Sequence, residues 1–145
     1  MTETIAVATM DGTLRIRRDE PLSRYTTFRI GGPADFLVRA ATAEQILAVL
    51  DWADRADLPV TAIGGGSNLL VGDRGIRGLV ILVRAPGREV EAGFDAEELG
   101  DDVRLRVPAQ APISWLGHLT ATNGWAGMEW AAGLPGVVGG AGLYL

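Results

Sequence analysis

The chain has 145 residues, 48% of them hydrophobic and 21% charged, which is enough apolar material for one ordinary domain and too much for intrinsic disorder. Thirteen Lys and Arg against eighteen Asp and Glu give a net charge of −5, and the basic residues are scattered, so a nucleic-acid partner is not expected. No cysteine and a single histidine leave no basis for disulfides, thiolate chemistry or a metal site, and fit a reducing compartment.

The opening residues, MTETIAVATMDGTLRIRRDE, carry an early acid, no basic stretch and no long apolar run, and show no secretion signal. Residues 26–34, TTFRIGGPA, place Gly31 and Gly32 before Pro33 in a rigid loop that either lies flat against a ligand or simply connects strands. Residues 35–39, DFLVR, read as a strand buried on at least one face. Thr42 and Gln45 stand at capping-box spacing, and Ile46, Leu47, Val49, Leu50 and Ala53 recur at helical intervals. Asp57 and Pro59 mark the end of that helix. A short β-prone run over 60–63 ends at Gly64, and residues 79–83, LVILV, have the continuous apolar character of a central strand. Strand, helix and strand make a βαβ pattern.

Between those last two strands lies IGGGSNLLV, residues 63–71. Consecutive glycines let backbone N–H groups approach a phosphate, and Ser67 and Asn68 can add side-chain hydrogen bonds. No Lys follows, so it is not a Walker A loop, and the third glycine of the dinucleotide fingerprint is missing. From these residues alone, a tight structural turn and a ligand loop both stand. Asp73, Arg74 and Arg77 read as solvating the turn before 79–83, with an arginine able to neutralise a nearby pyrophosphate.

Pro86, Gly87, Gly93 and the acidic EELGDD mark an exposed hairpin or a boundary. Residues 103–107 alternate as a half-exposed strand, and Pro112 opens a helix with Trp115, Leu116 and Leu119 on one face, closed by Asn123 and Gly124. The segment GLPGVVGGA at 133–141 offers backbone amides and no acid–base side chain; its plain alternative is a glycine-rich packing turn. The uncharged tail over 131–145 is shorter than the roughly 20 residues of a membrane helix and is broken by Pro135 and five glycines, so no membrane span is expected there. His118 reads as a surface or packing residue, and Trp52, Trp115, Trp125 and Trp130 as core aromatics.

In order and spacing, TTFRIGGPADF, a helix, GGGSNLLV, GLVI and GMEWAAGLPGVVGGA resemble the successive signature segments of the UDP-N-acetylenolpyruvoylglucosamine reductases, over residues 21–141. The resemblance implies an α/β (α+β) two-subdomain FAD-binding fold of the p-cresol methylhydroxylase and vanillyl-alcohol oxidase type. A variable segment over 1–20, a first FAD-binding subdomain over 21–83 and an incomplete second one over 84–145 follow from it. It also implies non-covalent FAD, NADPH as reductant, UDP-N-acetylenolpyruvoylglucosamine as substrate and UDP-N-acetylmuramate as product, in cytoplasmic peptidoglycan precursor synthesis. Carried over by motif, the pyrophosphate loop falls on Gly64, Gly65, Gly66, Ser67, Asn68 and Leu69, and the first flavin-facing loop on Thr27, Gly31 and Gly32. The segment beside the flavin falls on Gly133, Leu134, Pro135, Gly136, Val138 and Gly139.

After GGA the family continues close to Asn-Ala-Gly-Ala-Tyr-Gly, whereas this chain reads GLYL. The family's catalytic arginine, serine and glutamate would then lie downstream of Leu145, so no catalytic residue is expected here and the isolated chain is expected to be inactive. Val137, Val138, Leu143 and Leu145 beside an unpaired sheet edge would favour self-association. A non-catalytic flavin-binding module is the alternative; a covalent FAD oxidase of the same fold ranks behind it, because its only candidate attachment residue, His118, is poorly placed.

Overall fold

A computed structural model describes residues 4–10, 12–84 and 93–142, which group into two compact units, Met1–Ala85 and Pro86–Leu145. The first unit is built on a five-stranded sheet of order β1-β2-β3-β5-β4. Its strands are β1 (Thr4–Thr9), β2 (Gly12–Pro21), β3 (Pro33–Ala40), β4 (Val60–Ile63) and β5 (Ile76–Val83). Hairpin β1–β2 and the β2–β3 pair are antiparallel, while β3 and β4 both run parallel to β5.

The segment set apart above as variable, over 1–20, thus supplies β1 and all of β2 but its last residue. Their signal lies in Leu14 and Ile16 alternating with Arg15 and Arg17, so that Ile16 is buried while both arginines stay exposed.

Helix α1 (Ala43–Arg55) starts as its capping spacing predicts: Thr42 Oγ1 accepts from the Gln45 amide at 3.2 Å, and Gln45 Oε1 accepts from the Ala41 amide at 2.8 Å. It ends at Arg55, and Asp57 beyond it takes the left-handed φ of 50° two residues before Pro59. Val49 and Ala53 are buried and Ile46 packs beside them, whereas Leu47 and Leu50 are exposed. The apolar stripe is therefore narrower than the periodicity suggested, because a helix lying on a sheet presents only about a third of its circumference.

Two apolar clusters cover the two faces of the sheet. One joins Leu79 and Ile81 of β5 to Val38 of β3, Ile16 of β2 and Val49 and Ala53 of α1. The other joins Val80 and Leu82 of β5 to Leu37 of β3, Leu22, Tyr25 and Val71. The continuous apolar run of β5 is explained by burial on both faces, each such aliphatic side chain contributing roughly 1.5–3 kcal/mol. α1 covers one face. On the other, no α-helix of the first unit is present among the described residues; the loops over 22–32, with a 3-10 turn at Leu22–Arg24, and 64–75 take that place.

The second unit contains the antiparallel hairpin β6 (Asp95–Leu99) and β7 (Asp102–Arg106), helix α2 (Ile113–Thr122), a 3-10 turn over Glu129–Gly133 and a short helix α3 (Val138–Ala141). Gly100 and Asp101 form the two-residue turn of the hairpin, with Gly100 at φ 68°. The acidic EELGDD is thus an exposed hairpin, while Pro86 and Gly87 lie outside the described residues. Ile113, Leu116 and Ala131 form the buried centre, with Leu105, Trp115 and Leu119 packed against it. Trp115 meets Phe94 edge-on at 5.9 Å, and Trp52 meets Phe36 likewise at 5.4 Å in the first unit. Trp130 departs from the core reading: it is 44% exposed and donates its indole N–H to the Gly127 carbonyl at 3.0 Å. His118 is exposed on α2.

Candidate functional site

The loop after β4 carries the densest set of unused donors. Among the described residues, the amides of Gly64, Gly65, Gly66, Ser67 and Asn68 donate to no protein acceptor, and neither do the side chains of Ser67 and Asn68. Consecutive amides without a protein acceptor are open to water or to an oxygen ligand, and a glycine-rich turn can present such amides to an anion.

The loop is held by backbone contacts to the segment before β3. Thr27 donates its amide to the Gly66 carbonyl at 2.9 Å and Gly32 donates to Gly72 at 3.0 Å, while Leu22 donates to Gly32 at 3.1 Å within that segment itself. Gly66 is buried at φ 68°, and a Cβ there would collide with the Tyr25 carbonyl. Gly32 faces the same restriction, since a Cβ would strike the Asp73 carbonyl. Two of the glycines singled out from the sequence therefore serve close backbone approach between the loops, which no larger residue permits.

Thr27 is exposed, and Gly31, at φ 129°, lies against Val71, with 2.8 Å between its notional Cβ and that of Val71. Thr26, by contrast, is buried and donates its hydroxyl to the Ile30 carbonyl at 3.0 Å, closing the turn in which Arg29 takes φ 54°. That turn holds Phe28 and Ile30 61% and 52% exposed, and Leu70 on the glycine loop is 72% exposed. Sequence reasoning passed over these three; the signal was available in apolar residues interrupting two glycine loops, since loops of this kind ordinarily carry polar side chains there. Leu69 is half-buried and packs with the Leu82 cluster.

Arg77 is not free to neutralise a ligand: it pairs with Asp35 at 2.6 Å and donates to the Arg74 carbonyl at 2.7 Å. Asp35 in turn accepts the Gly78 amide at 2.9 Å, where the β3–β5 register shifts. These charges serve the bulge between strands.

In the second unit, the expected row of open amides in the glycine-rich segment is largely closed. Val138 donates to Ala111 at 2.9 Å, Gly139 to Ala109 at 2.8 Å, Gly140 and Ala141 to Val137, and Gly142 to Val138. Ile113 donates to the Gly136 carbonyl at 3.1 Å, and Pro112 and Val137 form a single antiparallel bridge. Gly133, Leu134 and Pro135 are exposed, and Gly136 takes φ 111°. Val138 begins a helix instead of lying along a sheet edge, and Leu143 and Leu145 lie outside the described residues. Among the described residues no group of three or more His, Cys, Asp or Glu could hold a metal, and no helix is long and apolar enough to cross a membrane.

The family model described as FAD binding domain matches residues 34–143, most of the chain. The chain belongs to the FAD binding domain family. FAD is the cofactor of that family, and its mixed α/β, two-subdomain FAD-binding fold is the fold expected from the sequence resemblance. The UDP-N-acetylenolpyruvoylglucosamine reductase of Synechocystis sp. is 42% identical over 139 residues, which are 96% of this FAD binding domain chain and 42% of that protein. The enzyme of the same name from Rubrobacter xylanophilus is 41% identical over 136 residues, 90% of this chain and 43% of its own. The crystal structure of UDP-N-acetylenolpyruvylglucosamine reductase from Thermus caldophilus is similar with a TM-score of 0.59 and 27% identity, covering 97% of this chain and 41% of that one. The chain thus spans about two fifths of the length of the relatives it matches.

Proposed function

We propose that this chain is the FAD-binding part of a cytoplasmic, NADPH-dependent flavoprotein reductase that converts UDP-N-acetylenolpyruvoylglucosamine to UDP-N-acetylmuramate in peptidoglycan precursor synthesis. The single observation that carries the cofactor reading is the row of unpartnered amides over residues 64–68, held on a rigid support by Gly66 and Gly32. The substrate reading is supported by the reductases to which the chain is similar along most of its length. In this proposal residues 21–83 and 84–145 act as the first and second FAD-binding subdomains.

The division of labour follows from the residue types. Residues 64–68 and the Ser67 and Asn68 side chains hold the diphosphate by neutral donors, which suits a group that must be bound without being activated. Thr27, Gly31 and Gly32 form the companion loop, and the exposed Phe28, Ile30 and Leu70 give apolar surface that shields the cofactor from water. Leu69 anchors the loop to the core. Gly133, Leu134, Pro135, Gly136, Val138 and Gly139 would meet the cofactor through the exposed backbone of 133–135, the Pro135 ring and the half-buried backbone of 136–139, since the Leu134, Val138 and Gly139 amides are engaged within their own unit. When bound, FAD supplies the hydride chemistry. These loops contain no paired acid and base, so the 145-residue chain alone is proposed to hold FAD without turning the substrate over. We further propose self-association through the hairpin β6–β7, whose strands pair only with each other among the described residues; sedimentation as a monomer at high concentration would remove that part.

The test is FAD titration followed by flavin fluorescence. Saturable, reversible binding is expected, with loss of affinity in Gly65→Val at unchanged far-ultraviolet circular dichroism. Equal binding by the variant would refute the loop assignment. Formation of UDP-N-acetylmuramate, followed by chromatography with excess FAD and NADPH, tests the reaction; none is expected from the isolated chain, and turnover matching that of a full-length reductase would refute the division of labour.

A further inference from the structure

Glu20, at the end of β2, is 2% exposed, and a carboxylate so placed needs partners. Its Oε1 accepts from the Tyr25 hydroxyl at 2.7 Å and from Arg17 and Arg24 at 3.3 and 3.4 Å. Arg17 also donates to the Tyr25 hydroxyl at 3.3 Å, and the Arg39 guanidinium lies 5.7 Å from the centre of the Tyr25 ring. Tyr25 is buried and ends the 3-10 turn over Leu22–Arg24, donating its amide to Leu22 at 2.8 Å. Tyr25 lies five positions after Glu20, and the short charge-assisted bond fixes both ends of that span.

The backbone at the far end of that span touches the candidate site. The Tyr25 carbonyl is the atom a side chain on Gly66 would strike, and two residues later the Thr27 amide donates to the Gly66 carbonyl. Gly66 lies within 64–68, and among the described residues its amide, like those of the other residues from 64 to 74, donates to no carbonyl. We propose that Glu20 and Tyr25 are positioning residues for the 64–68 loop: the buried carboxylate–phenol bond fixes the Tyr25 backbone on which the Gly66 turn rests, and so fixes the row of donors that meets a diphosphate. The inference rests on the cofactor reading above. A cluster that only stabilised the fold would have no need to end against the donor loop.

The experiment compares the 145-residue chain with Tyr25→Phe, Glu20→Gln and Val49→Ala, the last removing core volume beneath α1. Three quantities are read: the FAD dissociation constant, the thermal midpoint, and amide hydrogen exchange at Thr27 without ligand. Tyr25→Phe keeps the ring and its packing; it is expected to weaken FAD roughly tenfold and to speed Thr27 exchange by a similar factor. Val49→Ala is expected to lower the midpoint at least as much and leave both other quantities unchanged. Should Tyr25→Phe fail to fold, Glu20→Gln is read in the same way. FAD affinity and Thr27 exchange equal to the parent in these variants would overturn the proposal, as would losses that simply track the midpoint as in Val49→Ala. If the parent chain binds no FAD, the cofactor reading fails, and Thr27 exchange alone decides whether the pair positions the loop.

Discussion

The two units hold glycine-rich segments of similar appearance in sequence and use them differently. In the first, GGGSN follows a parallel strand of a five-stranded sheet and keeps its amides free. In the second, GLPGVVGGA folds back on residues 109–113 and closes its own amides, next to a two-stranded hairpin and a smaller apolar cluster. A free donor row is affordable only where neighbouring structure holds the loop, and in the first unit β3, β5 and the 22–32 segment do so. Glycine count alone does not separate the two cases; the location of the hydrogen-bond acceptors does.

The contrast predicts unequal sensitivity to core truncation. Leu82→Ala, at a fully buried position between two parallel neighbours, should cost about 3–4 kcal/mol of the first unit's stability, and Leu116→Ala in the second about 2. Native-state hydrogen exchange reads the two units separately; equal losses would erase the distinction. Gly66→Ala should cost about 3 kcal/mol, from the left-handed φ together with the collision with Tyr25, whereas Gly124→Ala, also at positive φ but with nothing within 4 Å, should cost only about 1. Urea midpoints at constant m-value measure both, and similar values would show that close approach is not what Gly66 provides.

Acid should act on the first unit through Glu20. Burial by itself would raise its pKa, but the hydrogen bond from Tyr25 and the charges of Arg17 and Arg24 outweigh burial and hold the carboxyl below its ordinary value. A depressed folded pKa contributes stability that is complete above the unfolded value of about 4.3 and is lost as pH falls through the folded value. Stability of the first unit should therefore decline below that pH, and Glu20→Gln should flatten the decline; an unchanged profile would remove Glu20 from the explanation. For Tyr25, burial first and then Glu20 push the phenol upward, so its contribution is present below about pH 10 and lost as pH rises through the higher folded value. In the second unit, Glu129 is lowered by its own amide and that of Gly127, but it is exposed and should matter little. Smallest of all, Arg55→Ala, which removes an exposed pair with Asp51, should change stability by less than about 0.5 kcal/mol.

Much of the fold was legible because its signals are local. Thr42 and Gln45 cap α1 as their spacing predicts, and the LVILV run is the doubly covered β5. Hairpin β1–β2 escaped notice because the alternation of Leu14 and Ile16 with Arg15 and Arg17 is short and gives way to Arg18, and because antiparallel partners reveal themselves only when paired. At the candidate site, the glycines and Ser67 and Asn68 stood out by composition. Glu20 and Tyr25 did not, since nothing in RRDEPLSRY says which acid will be buried or which phenol will reach it. Nor could the sequence reveal that the Val138 and Gly139 amides are engaged, because their acceptors lie about thirty residues earlier, at Ala111 and Ala109.

Hydrogen exchange of the glycine-segment amides, with and without FAD, bears most directly on the assignment of residues 64–68. The five amides of 64–68 should exchange rapidly in the free chain and become protected on binding, while those of Val138 and Gly139 are protected before FAD is added. Protection at 64–68 before any ligand is present, or FAD binding that leaves these five amides open, would contradict the assignment.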